Sequence, residues 1–224
     1  MNFPSSLLYT FLLTFSWLHA EVLPKDFEPT LIKKGTLVYQ NPFDQESQLK
    51  GWVLPQDHDR GSAIIKNKQL ALICSGTEKS YARFKLPKPV NNCTTSLLFN
   101  SKSTERFTFA YEGTSSNQKK FSINILYYFS VGKFVITYFD EASKDKSSSA
   151  DTPVKVAEAR YKPIKSEWVR LRIDIKDSTL VLNVEGKALT KATIDAVKNE
   201  KTGIFLSSLQ GTVLIDDLQI HNAK

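Results

Sequence analysis

Five side chains, Arg106, Thr108, Asn124, Tyr128 and Thr137, recur at even spacing within runs that alternate apolar and polar residues. Successive side chains of a β-strand point to opposite faces. Arg106 and Thr108 therefore share one face of their strand, Ser122, Asn124 and Tyr128 share one of theirs, and Thr137 with Phe139 sits across a hairpin from them. Guanidinium and amide donors beside hydroxyls and an aromatic ring suit the hydroxyls and apolar faces of a sugar. The plainer reading is that any half-exposed antiparallel sheet carries a polar outer face. Tyr111, Tyr127 and Tyr138 are expected to fill the core with their hydroxyls at its rim.

Other chemistry is thinner. Asp44, Asp216 and Asp217 would converge if the first and last strands pair, and a structural calcium ion, which prefers six to eight oxygens, is the cofactor such a cluster would hold. Without it, aspartates at strand ends face water or cap turns. His58, in Gln56-Asp57-His58-Asp59-Arg60, is flanked by carboxylates but reads as a solvated loop. Cys74 and Cys93 either pair in an oxidising compartment, which would add roughly 3 kcal/mol, or stay as two buried thiols. Trp52 and Trp168 lie in core-like contexts that favour packing over sugar stacking. There is no Gly-x-Ser-x-Gly elbow, His-Glu-x-x-His helix or phosphate loop.

The elements that must position these groups are strands. From Thr36 onward apolar residues recur with period two. Ala63–Lys66 and Gln69–Ile73 flank Asn67-Lys68, Phe121–Phe129 and Lys133–Phe139 meet through Gly132, and Trp168–Ile175 and Thr179–Val184 meet around Asp177-Ser178. In the last hairpin Leu171, Ile173 and Ile175 are expected to face the core, with Arg170, Arg172 and Asp174 on a wet face. Further strands are expected at 81–84, 95–100, 107–111, 154–161, 203–207 and 213–220. Residues 141–153 read as a polar loop and 192–198 as the sole helical turn. About a dozen short strands predict an all-β, antiparallel two-sheet β-sandwich, with 36–224 as one domain and 21–35 as an extended arm.

The first twenty residues differ in kind. Leu7 to Leu18 is an apolar run ending near Ala20, too short for the about 20 residues of a membrane span. Residues 1–20 are thus expected to be a signal peptide, and the chain secreted, periplasmic or extracellular, with no membrane span after processing. The net charge of +7, from 30 Lys and Arg against 23 Asp and Glu, is spread along the chain. That spread argues against a nucleic-acid partner, whose footprint would be clustered.

Several pieces in order resemble the concanavalin A-like jelly rolls, and within them the laminin-G-like domains classed with 3-keto-disaccharide hydrolases. They are Gly51-Trp52, Ile65–Leu70, Glu167–Ile173, Val184–Lys187, Gly203–Leu206 and Val213–Leu218. The resemblance implies a jelly roll over roughly residues 36 to 221 and a glycan as partner. Retaining glucanases of this fold carry Glu-x-Asp-x-Glu on one strand, placing two carboxylates about 5 Å apart. No such strand exists here, and the adjacent pairs Asp140-Glu141 and Asp216-Asp217 would point to opposite faces. The expectation is an exported carbohydrate-binding sandwich. A glycan-cleaving hydrolase, to which Glu105, Glu112, Asp140 and Glu141 would be the candidates, and a protein-binding module are the alternatives.

Overall fold

The computed structural model describes residues 31–55, 61–101, 103–115, 118–141, 153–163 and 167–224, without the side chains of 76–78. The expected signal segment, the arm up to residue 30, His58 and most of the 141–153 loop lie outside the described residues.

Among the described residues thirteen strands follow one another: β1 (Lys34–Asn41), β2 (Trp52–Val53), β3 (Gly61–Ile65), β4 (Leu70–Val90), β5 (Cys93–Ser101), β6 (Arg106–Thr114) and β7 (Lys120–Tyr128), then β8 (Lys133–Asp140), β9 (Val154–Arg160), β10 (Val169–Lys176), β11 (Thr179–Val184), β12 (Lys187–Thr193) and β13 (Lys201–Ala223). The three expected hairpins form. Asn67, Lys68, Gly132 and Asp177 adopt the positive φ that their tight turns require. The expected helical turn is a short 3₁₀ segment, Asp195–Lys198.

Two pairs of expected short strands fuse. The segments near 70 and 81 are one β4, and those at 203–207 and 213–220 are one β13 of 23 residues. The polar stretch between the latter two makes a bulge instead of a loop: Gln210 and Gly211 take φ of 53° and 89°, and the register with β4 shifts between Leu209 and Gly211. A Cβ on Gly211 would come within 2.1 Å of the Ser103 carbonyl oxygen, so only glycine fits this crossing.

The bulge creates the two layers. Before it, β13 lies between β4 and β6 in a front sheet that continues through β7, β8 and β9. Beyond it, β13 pairs with the start of β4, with β5 and finally with β1 in a back sheet that continues through β10, β11 and β12. Every pairing is antiparallel. Phe99 of the back sheet meets Phe107, Tyr127 and Phe134 of the front sheet at centroid distances of 5.1, 5.9 and 6.4 Å. Each such pair adds about 0.5–1.5 kcal/mol beyond its area burial. Trp52 and Trp168 are buried, and Trp52 stacks on Phe84.

Three expectations need correction. Of the two readings of the cysteines, the disulfide fails: Cys74 and Cys93 are buried thiols not joined to each other. Both strands bond to β13, where Cys74 opposes Gly211 and Cys93 opposes Asn222; that separation is about 35 Å of strand, far beyond the about 7 Å that a disulfide spans. The Tyr111 hydroxyl is not at the rim but sealed inside, donating to Thr95 Oγ1 at 2.5 Å. The face of β10 carrying Arg170, Arg172 and Asp174 is not wet, since all three are buried. Arg172 Nε donates to Asp174 Oδ1 at 2.9 Å and its Nη2 to the Ile32 carbonyl at 3.2 Å. Thr94 Oγ1 and the Leu31 amide also donate to the Asp174 carboxylate, so residues 31 and 32 cap that face.

Candidate functional site on the outer face of the front sheet

The register brings the five alternate residues together. Arg106 lies opposite Tyr128, and Ala110 opposite Asn124, on β6 and β7; Asn124 lies opposite Thr137 on β8. Directly opposed residues share a face, and here it is the outer one, because Phe107, Phe109, Tyr111, Ile123, Ile125 and Tyr127 all point into the core. Asn124 Nδ2 lies 3.3 Å from both Ser122 Oγ and Thr137 Oγ1. Those contacts hold its amide in place while leaving its carbonyl oxygen to accept elsewhere.

The strands beside β6 complete the face with residues that the sequence did not single out. Ser207 lies between Thr108 and Tyr81, and Phe205 between Ala110 and Arg83. Tyr81 and Phe205 stack at 6.0 Å. Lys79 Nζ and the Arg83 guanidinium sit 4.6 and 5.4 Å from the Phe205 ring, and the Arg106 guanidinium 5.8 Å from that of Tyr128. Ser207, Thr108 and Ala110, between the ring-bearing positions, are small and buried beneath their larger neighbours. A signal for the missed residues was present: Lys79, Tyr81, Arg83 and Lys85 alternate with the inward Ser80, Ala82 and Phe84. On the same face a cavity of about 370 Å³ is lined by Arg83, Glu112, Ser122 and Phe139.

Charge on this face is one-sided. Arg83 bonds Glu112 at 2.9 Å, and Lys133 and Lys155 share Glu158 at 3.2 and 3.1 Å. Lys79 is held below the usual lysine range, first by burial and then by the nearby Arg106 and Arg83 cations. Glu112 and Glu158 stand on strands separated by β7 and β8 and are offset along them, Glu112 lying level with Phe139 and Glu158 with Val135, so they are at least about 14 Å apart. That exceeds the about 5–9.5 Å between the carboxyl groups of glycosidases.

The remaining candidates lie elsewhere. Glu105 lines a separate cavity of about 550 Å³ with Phe99, Phe129 and Glu167. Glu141 accepts the Lys120 amide. Asp217 accepts from Arg170 Nη1 at 3.0 Å and from Gln219 Nε2 at 2.7 Å, which already neutralises it. Asp216 accepts the Asp217 amide. Burial, reinforced by the Asp217 and Asp44 carboxylates, lifts Asp216 to about 6. Among the described residues no three His, Cys, Asp or Glu side chains gather as a metal site would require.

No family model matches the chain, and no curated protein matches it. Solved structures do. A Bacillus subtilis protein of unknown function with a galectin-like fold superposes with a TM-score of 0.66 at 12% identity, covering 86% of this chain and 99% of that one. A non-specific endo-β-1,3(4)-glucanase of family GH16 gives 0.62 at 10% identity, covering 92% and 98%. The carbohydrate binding module CBM66 from Bacillus subtilis gives 0.54 at 8%, covering 77% and 96%. At these identities the likeness is one of fold alone: the chain has a concanavalin A-like β-sandwich fold.

Proposed function

We propose that this protein is an exported carbohydrate-binding sandwich whose site is the outer face of the front sheet. The observation that carries the reading is the placing of Arg106, Thr108, Asn124, Tyr128 and Thr137 on one outer sheet face by the register of β6, β7 and β8. Amide and hydroxyl groups there can exchange hydrogen bonds with sugar hydroxyls, and the half-exposed rings offer apolar surface. The same fold serves a carbohydrate binding module and an endoglucanase among its structural neighbours, which supports a glycan as the partner. We carry the laminin-G-like kinship on the pieces around Trp52 and Trp168 as part of this proposal, and read this face as one for binding because its Glu112 and Glu158 stand too far apart to act on one bond.

Affinity electrophoresis in polysaccharide-containing gels, run beside an assay for new reducing ends, tests the reading. Retardation without cleavage is expected, together with at least a tenfold loss of affinity in Asn124→Ala/Tyr128→Ala. Unchanged affinity in that variant would refute the site, and new reducing ends would make a hydrolase the better reading.

A further inference from the structure

One line of residues runs straight across the front sheet, perpendicular to its strands. Lys79 of β4 opposes Leu209 of β13, which opposes Arg106 of β6. Arg106 opposes Tyr128 of β7, and Tyr128 opposes Lys133 of β8. The row therefore alternates cation, apolar side chain, cation, aromatic ring, cation. Cations recur on every second strand, about 10 Å apart at two interstrand spacings, which is close to the repeat of a disaccharide in an extended polysaccharide. Leu209 and Tyr128, both partly exposed, fall where the intervening sugars would lie.

The cations are underpaid. Arg83, Lys85, Lys155 and Arg160 add to the same face through their opposition to Phe205, Gly203, Thr137 and Lys133, whereas Glu112 and Glu158 are its carboxylates. Among the described residues Lys79, Lys85, Arg106 and Arg160 have no carboxylate within ion-pair distance, and Arg106 Nε is buried without an acceptor. Lys79 and Arg106 lean over aromatic rings, which fixes them before any ligand arrives and lowers the entropy cost of binding. A neutral glycan would leave this repulsion in place. An anion seated at each cation would relieve it.

We infer that the front sheet selects acidic polysaccharides bearing one anionic group on every second sugar, laid across the strands along the row from Lys79 to Lys133. The inference rests on the carbohydrate-binding reading and adds the ligand class and direction. It is tested on the full chain by measuring dissociation constants at low salt and in 0.5 M NaCl. The probes are hyaluronan (a carboxylate on alternate sugars), κ-carrageenan (a sulfate on alternate sugars), alginate (a carboxylate on every sugar) and laminarin (neutral). Expected is at least tenfold tighter binding to one or both alternating polymers than to laminarin, weaker binding to alginate, and a strong loss in salt. Whichever alternating polymer binds better distinguishes carboxylate from sulfate.

Lys79→Ala/Arg106→Ala should lose at least tenfold on that polymer, and Lys187→Ala/Lys191→Ala on β12 should lose nothing. Laminarin or alginate binding as tightly as the alternating polymers would overturn the inference and leave the carbohydrate-binding reading standing. Equal losses in both double variants would overturn it as unspecific attraction of a +7 chain. Failure of all four polymers to bind would sink both readings.

Discussion

The two sheets treat charge in opposite ways on their outer faces. On the front, cations stand exposed over aromatic rings and outnumber the carboxylates beside them. On the back, Arg172 and Asp174 are 1% and 0% exposed, bonded to each other and capped by Leu31 and Ile32, while Arg170 is held by Asp217. Alternating charged residues in a strand thus have two fates. Where nothing covers the face, they are free to act on a partner. Where another segment covers it, they are consumed by the fold, because a buried charge must be paired and bonded to be tolerated.

The strongest way to break this contrast is on the back face. Asp174→Ala strands the Arg172 guanidinium in a sealed site, and a loss of about 3–5 kcal/mol is expected in urea denaturation. A loss below about 1 kcal/mol would mean that water reaches the pair and the two faces are alike.

Next is Lys201, fully buried at the start of β13 with its ammonium donating to the carbonyls of Asn91 and Val197. Burial pulls it down to about 8. The unfolded chain then holds this proton more tightly than the folded one, so stability rises with pH between 8 and the ordinary lysine value. Burial also pushes the Cys93 thiol up to about 11, which has the opposite sign above pH 9. Between pH 8 and 9 the Lys201 contribution should rise by about 1 kcal/mol, and Lys201→Met should abolish that rise in thermal melts.

Asp216 offers a comparable effect of opposite sense. Its folded value near 6 lies above the ordinary carboxylate value, so its contribution is fully present at low pH and is lost as pH climbs through about 4 to 6. Asp216→Asn is expected to be the more stable protein at pH 7, by about 1 kcal/mol after allowance for solvent screening, with no advantage at pH 4.

The smallest effect belongs to the front. A double-mutant cycle on Arg83 and Glu112, half and one-third exposed, should give a coupling of only about 0.2–1 kcal/mol. A coupling comparable to that of the Arg172–Asp174 pair would erase the distinction.

These fates also mark what was legible in the sequence. Alternation within β6, β7 and β8 is a local property, so Arg106, Thr108, Asn124, Tyr128 and Thr137 could be placed on shared faces before any coordinates. The hairpins were legible for the same reason, through Asn67, Gly132 and Asp177. Lys79, Arg83 and Phe205 were missed as partners of that face because their register depends on β13 inserting between β4 and β6, a pairing set by tertiary packing. The misreading of Arg172 and Asp174 has the same root: their cover comes from residues 140 and 143 positions away, and nothing in β10 announces it. The separate strands assigned to 203–207 and 213–220 failed because a bulge at Gln210-Gly211 looks like a turn in one dimension.

The strand that crosses between the layers has a consequence in time. β13 supplies hydrogen-bond partners to β1, β4, β5 and β6, so neither layer can close until residues 201–223 have been synthesised. A chain whose keystone follows every strand it joins stays open until that keystone emerges. Its assembly must wait for long-range pairing, the slow kind.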